Sequence, residues 1–372
     1  MLKLRVIEDF GEFEGLSGIW NNVLQRSHDN DIFSTWEWLW CWWKHFGKSR
    51  DLRLMIAEED GRIVGFAPFM VSSYSFKHLG KLRRVEFVGF PHADYNNFLL
   101  MKKEIECVRL FLYGLMEYSD WNLLDLRDIR EGSASAESLR KLCDGGDPAL
   151  KLRDGTLCLY IKLPSSVDDY VKGLSRNMRR NLRKRMRKLR ESYKVGFKTQ
   201  RDFSSVGKAM EMFFKLHQER WRSRGELGAF SSKDFRNFHT DVAKLFDRKG
   251  WLDLHFLTAN DEPVAAAYTF DYGSKKYGYL TGFDPEFGRY SVGNLLKMHL
   301  VEECVKKGFT EYDLTRGFEP YKADWATGVR KNFVVRLARK GLFAKMYSWA
   351  LENSFSRWLF NKLGAHLTIK GG

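Results

Sequence analysis

No stretch of this 372-residue chain reaches about eighteen uninterrupted apolar residues, so the sequence predicts no membrane-spanning helix. The start, "MLKLRVIEDFGEF", lacks the apolar core and small-residue cleavage site of a signal peptide, and a cytoplasmic protein is expected. Cysteine is scarce and scattered: Cys41, Cys107, Cys143, Cys158 and Cys304 never form a CxxC pair. They read as reduced, packed residues, with no support for a metal site. GxSxG, HExxH, Walker and dinucleotide patterns are absent, and no serine or cysteine triad can be assembled. What remains is a ring-rich globular composition, 44% hydrophobic and 15% aromatic, long enough for two domains.

The net charge of +15 is concentrated. Residues 176–190 carry nine Lys or Arg and no acid, and residues 331–372 carry eight against one acid, so the remainder is close to neutral. Within the first patch Leu174, Met178, Leu182, Met186 and Leu189 recur at helical spacing. This predicts a docked amphipathic helix with a very basic outer face, suited to walling a cleft for anionic ligands.

Residues 34–46, "STWEWLWCWWKHF", open with Ser34 and Glu37 in the spacing of a capping box. Trp36, Trp40 and Trp43 fall on one stripe, expected to pack the first core or to line a substrate wall. A hairpin turning at Asp60-Gly61, a third strand in "RRVEFVGF", a helix through Ile105–Leu115 and a strand in "WNLLDLRDI" follow. The same order returns from "LDLHFLTANDEPVAAAYTFDYGSKKYGYLTGF" through a helix stopped by Gly308 to the strand "TEYDLTRG". "FVGFP" aligns with "LTGFDP" and "NLLDLRD" with "EYDLTRG", the pattern of a duplication. "REGSASAESLRKLCDGGDPALKLRDG" between the halves reads as a connection. The division expected is 1–150, 151–335 and a basic amphipathic helix in 336–372.

Three polar clusters suggest chemistry. "DPEFGRYSVGNLL" leads a strand through a glycine-containing loop into a helix N-terminus, offering Arg289, Tyr290, Ser291, Val292, Gly293 and Asn294 to a phosphate. Asp313, Arg316, Glu319, Tyr321 and Lys322 crowd the carboxyl end of a strand, where α/β folds place ligands. His217, Arg220, Trp221 and Arg224 share one helix face. In the first half, His92, Asp94 and Tyr95 occupy the position equivalent to the phosphate loop.

"LHQERWRSRGELGAF", the long run from "YGYLTGFDPEFGRYSVGNLL" to "GFEPYKADWA", and "TWEWLWCWWKHFG" resemble the CelD/BcsL-type proteins. The likeness covers most of residues 31–330 and is strongest over 175–326. It implies two tandem GNAT-like domains of the α+β or α/β class, each a mixed, mostly antiparallel sheet flanked by helices, related to the Fem-type peptidyltransferases. It also implies that residues 284–296 form an acyl-CoA pyrophosphate loop, although of the RxxGxG pattern only Gly288, Arg289 and Gly293 are present.

The expected activity is acyl transfer from acyl-CoA, acetyl-CoA foremost, to an amine or hydroxyl on a sugar or envelope polysaccharide precursor, with no metal. Asp313 or Glu319 would handle the proton and Tyr321 the leaving thiolate. His92, Asp94, Tyr95, His217, Arg220, Trp221, Arg224, Arg316 and Lys322 would contact the acceptor. A Fem-like ligase using aminoacyl-tRNA and a non-catalytic glycan- or nucleic-acid-binding module are the alternatives; a dedicated DNA reader is not expected. Residues 341–362 combine rings with a basic rim, a helix that packs on the second domain or lies on an anionic membrane at the inner face.

Overall fold

The computed structural model describes residues 1–76, 80–145, 150–339, 345 and 348. The expected helix over 341–362 therefore lies outside the described residues. In chain order the elements begin with β1 (Leu2–Ile7), α1 (Phe10–Glu14), α2 (Ser17–Arg26), α3 (Trp36–Phe46), β2 (Arg50–Glu59), β3 (Arg62–Phe76) and β4 (Gly80–Phe87). They continue with β5 (Leu99–Leu100), α4 (Glu104–Glu117), β6 (Leu123–Arg130), α5 (Ala134–Asp144) and β7 (Lys151–Lys162). Next come α6 (Val167–Gly173), α7 (Arg176–Ser192), β8 (Val195–Thr199), α8 (Val206–Arg222), α9 (Lys233–Arg248), β9 (Leu252–Ala259) and β10 (Glu262–Tyr272). The last are β11 (Lys275–Phe283), α10 (Val292–Lys306), β12 (Glu311–Arg316), α11 (Pro320–Ala323) and β13 (Gly328–Ala338). Two compact units result among the described residues: 1–156 with 331–339, and 157–330. The boundaries fall inside β7 and β13.

In the first unit the strand order is β1-β2-β3-β4-β6-β13-β7, the last contributing its residues 151–156. β4 and β6 run parallel and pair only at Arg84–Leu123 and Val85–Leu124, whereas β1–β2, β2–β3, β3–β4 and β6–β13 are antiparallel. Where that parallel ladder stops, ions fill the sheet. The Asp125 carboxylate accepts from Arg127 Nε at 2.8 Å and Arg336 Nε at 2.8 Å, with Arg84 Nη1 at 3.5 Å. Burial raises the Asp125 carboxyl, but Arg127, Arg84 and Arg336 overcome it and hold it down at about 2. Asp125→Ala is expected to lower stability by about 3–5 kcal/mol, because three guanidinium groups lose a shared buried anion. A shift in urea midpoint at constant slope measures it, and a change below about 0.5 kcal/mol would refute the assignment.

Two expectations are corrected in this unit. The cap of α3 is Thr35, whose side chain accepts from Trp38 N, while Ser34 is held by Asp31 in the preceding turn and the Glu37 carboxylate accepts from Asn21. The buried face also differs from the expected stripe: Trp38 and Trp42 are fully enclosed and Trp43 is buried, while half-buried Trp36 and Trp40 stack on each other at its edge, 5.3 Å apart. The supposed connection after residue 130 is α5 followed by β7. Its Ser133 is a capping group that accepts from Ala136 N, and buried Asp29, which lies before α3 in the chain, accepts from Ala134 N and Ser135 N.

The second unit repeats the plan. Its order is β7-β12-β11-β10-β9-β8, with β11 and β12 parallel and the remaining pairs antiparallel. β10 alternates: Ala265 and Ala267 pack in the cluster with α6, α7 and α10, while Tyr268 and Phe270 meet Phe213 and Phe246 from α8 and α9. The basic helix forms as expected, capped by Ser175, with Met178, Leu182, Met186 and Leu189 against the core.

Candidate active site

β11 and β12 pair over three residues only, Lys275–Tyr277 against Glu311–Asp313. Beyond them β12 turns away at Thr315 (φ 59°) and Gly317 (φ 108°), and Thr315 Oγ1 donates to Gly278 O across the gap at 3.1 Å. A bulge opposite Tyr268/Thr269 bends β11 on its other side. The sheet is thereby split into a wedge at the carboxyl ends of two parallel strands.

The chain leaving β11 makes one short turn, residues 285–290, and enters α10. Ser291 sits in the left-handed region (φ 50°) and supplies no side-chain cap. The N–H groups of Val292 and Gly293 precede the first intrahelical bonds, which run from Asn294 N and Leu295 N to Ser291 O, and they carry the positive end of a 15-residue helix. Arg289 is exposed beside them, its guanidinium 4.8 Å from the Tyr290 ring. Tyr290 and Val292 are buried and anchor the loop, while Gly293 leaves space for an approaching group.

One turn further along α10, at the position four residues from Gly293, stands Lys297. Its ammonium lies 4.9 Å from the Tyr321 ring centre and 5.5 Å from that of Trp325. Burial, then Lys322 and Arg220, push this amine down to about 7, with Glu319 and Asp324 offsetting part of the effect. Arg220, in the last turn of α8, donates from Nη1 to Thr281 O (3.1 Å) and Oγ1 (2.8 Å) and lies 5.8 Å from the Tyr321 ring. Its buried Nε has no hydrogen-bond partner among the described residues. Lys322 donates to Arg316 O at 2.8 Å and pairs with Glu319 at 3.0 Å. An amine that is half-neutral near pH 7, beside two cations and two rings, can accept a proton and hold an anionic group.

The structure thus brings together Arg220, Arg316, Glu319, Tyr321 and Lys322 of the expected residues. Asp313 is buried on β12, its Oδ1 accepting from Thr315 N at 2.7 Å and Oδ2 lying 4.0 Å from Arg330. His217 is enclosed by Phe213 and Phe230, accepts from Trp221 Nε1 at 3.0 Å, and is pushed down to about 4 by burial and by Arg220. Arg224 lies beyond the end of α8, exposed, 5.9 Å from the Trp221 ring. His92, Asp94 and Tyr95 belong to the first unit. There His92 Nδ1 accepts from Trp42 Nε1 at 3.0 Å, Asp94 O accepts from Asn332, and Tyr95 packs edge-on to Phe33. Lys297 was not anticipated from sequence. Its signal was a single lysine in the apolar run "LLKMHL", on a helix otherwise read as core.

Residues 176–323 match the acetyltransferase (GNAT) domain family. No curated protein matches the chain significantly. Among solved structures the chain is similar to a FemX, at 12% identity and a TM-score of 0.61, covering 89% of this chain and 96% of that one. It is also similar to the L-PGS of Bacillus licheniformis, at 11% identity and a TM-score of 0.54, covering 93% and 96%. A tandem GNAT protein of the clavulanic acid biosynthesis pathway, 10% identical with a TM-score of 0.52, is covered over its whole length by 92% of this chain. The matched residues lie within the second unit, and the two described units together have a tandem GNAT-like fold. Among the described residues no helix is long and apolar enough to cross a membrane, and no group of three or more His, Cys, Asp or Glu is placed to hold a metal ion.

Proposed function

We propose that the second unit transfers an acyl group from a CoA thioester to an amine or hydroxyl of a sugar or envelope polysaccharide precursor, in the manner implied by the CelD/BcsL resemblance. The observation that carries this reading is the depressed, buried amine of Lys297, one helical turn beyond the Arg289–Asn294 loop at the mouth of the β11–β12 wedge. Arg289 and the N–H groups of Val292 and Gly293 hold the donor's phosphates. Lys297, neutral, takes the proton of the attacking amine or hydroxyl as its bond to the carbonyl carbon forms. The carbon–sulfur bond then breaks, and the Tyr321 hydroxyl supports the departing thiolate. Arg220 and Lys322 orient a carboxylate or phosphate on the acceptor. Glu319, paired to Lys322, and Asp313, which keeps the end of β12 in place, set these groups.

Titration calorimetry with acetyl-CoA and longer acyl-CoAs tests the donor. Saturable heat is expected, with affinity falling about 10- to 100-fold in Arg289→Glu. Absence of heat with every CoA thioester, combined with binding of aminoacyl-tRNA, would replace this reading with a Fem-like ligation. The observation that favours that second reading is the basic face of α7.

A further inference from the structure

The acyl-transfer reading leaves α7 without a role, and the surface beside it is built for something else. At about 100° per residue, Arg176, Arg180, Arg183, Arg187 and Arg190 fall within an arc of about 80° on the helix. All five are exposed. Among the described residues, Arg187 alone of the five meets a carboxylate, Glu191, at 3.6 Å. Alongside this stripe runs an open groove of about 600 Å³ between α7, the edge strand β8 and α10. Its apolar lining is Leu182 and Met186 from α7, Leu295 and Met298 from α10, and Phe197 from β8; Arg183, Arg187 and Arg190 stand at its rim. Phe197 is 36% exposed, and its ring stacks on His299 at 3.7 Å. Glu302 on α10 also lines the groove, so the positive charge is confined to the α7 side.

We infer that this face docks on an anionic lipid surface, the arginine stripe meeting headgroup phosphates and the leucine, methionine and phenylalanine groove receiving apolar lipid. Charge complementarity and the kind of apolar lining decide the occupant. A duplex nucleic acid would engage the arginines but leave aliphatic and thioether surface uncovered, because its stacked bases are enclosed and its phosphates and sugars offer nothing to bury there. A bilayer interface offers both an anionic plane and hydrocarbon within a few ångströms of it. The inference is independent of the acyl donor. It concerns a surface of the second unit alone.

Flotation of the full chain with phosphatidylcholine vesicles, with and without about 30 mol% phosphatidylglycerol, is the test. The chain is expected to float with the anionic vesicles only, and to lose binding as salt is raised. The triple variant Arg183→Glu, Arg187→Glu, Arg190→Glu should partition about 100-fold less. Phe197→Ser with Met298→Ser should partition about tenfold less, a loss that a purely electrostatic polyanion site would not show. If the charge reversal unfolds the protein, the neutralising set Arg183→Gln, Arg187→Gln, Arg190→Gln serves, with about a tenfold loss expected. Equal flotation of wild type and arginine variants overturns the inference. So does tight binding of duplex RNA that the arginine variants abolish while wild type fails to float, which would assign α7 to nucleic acid.

Discussion

Lys297→Met is expected to lower kcat/KM for acyl transfer by about 10²–10⁴-fold while making the protein more resistant to unfolding near neutral pH. Both effects have one origin. The amine is pushed from its ordinary 10.5 to about 7 in the folded chain, chiefly by burial and then by Lys322 and Arg220. In wild type, log kcat/KM should therefore rise with unit slope up to about pH 7 and level off above it, as the amine becomes free to take a proton. For stability the direction is fixed by proton counts. Between about pH 10.5 and 7 the unfolded chain binds a proton at this lysine and the folded chain does not, so stability falls as pH falls. Below about 7 both states are protonated and the penalty is fully present. Methionine is close in size and removes it, so the variant should gain on wild type as pH drops from 10 to 7, by up to about 4 kcal/mol. Urea midpoints of the two proteins across that range, beside the pH–rate profile, check both halves. Retained activity with no break near pH 7 would remove Lys297 from the mechanism.

Gly282→Ala should cost about 2–4 kcal/mol of stability and most of the activity. A Cβ built on Gly282 would stand 2.4 Å from His217 N and 2.7 Å from His217 Cα, both helix backbone rather than a side chain that could swing aside. Here α8 lies directly on β11, and only glycine permits the approach. The neighbouring residue, Thr281, accepts two hydrogen bonds from Arg220 Nη1, through its carbonyl and its hydroxyl oxygen. Pushing α8 off the strand therefore displaces the guanidinium from the Tyr321 ring, and positioning errors of about 1 Å are enough to lose rate. The contrast is Gly18→Ala in α2, where nothing lies within 4 Å of the new Cβ and little change is expected. Thermal melts and initial rates of the pair provide the comparison; equal behaviour of the two variants would contradict the close-packing account.

The sequence showed best those features whose cause is local. The seam of α7 follows from the spacing of Met178, Leu182, Met186 and Leu189, and the turn into α10 follows from a strand, glycines and a helix in succession. Capping was legible but misplaced: Ser34 and Thr35 both have a hydroxyl, and only the buried Asp31 holding Ser34 decides between them. Ser133 reads as linker in the sequence because a cap and a loop use the same residue types. Lys297 was hidden for a different reason. Its altered basicity comes from Lys322 and Arg220, which reach it from other elements, and no pattern along α10 reports them. The same holds for Asp125, whose partner Arg336 is 211 residues away in sequence.

That separation bears on how the chain acquires its structure. The first unit comprises residues 1–156 and the part of β13 from Lys331 on, with the whole second unit threaded between them. During synthesis the early half of the first unit emerges with β6 lacking its β13 neighbour, and with Asp125 facing Arg84 and Arg127 but not Arg336. Domains ordinarily fold as units from the N-terminus as they leave the ribosome. Here the second unit, continuous in sequence, is the one able to finish first. The N-terminal half must wait, its strand edge open, until translation has passed residue 338.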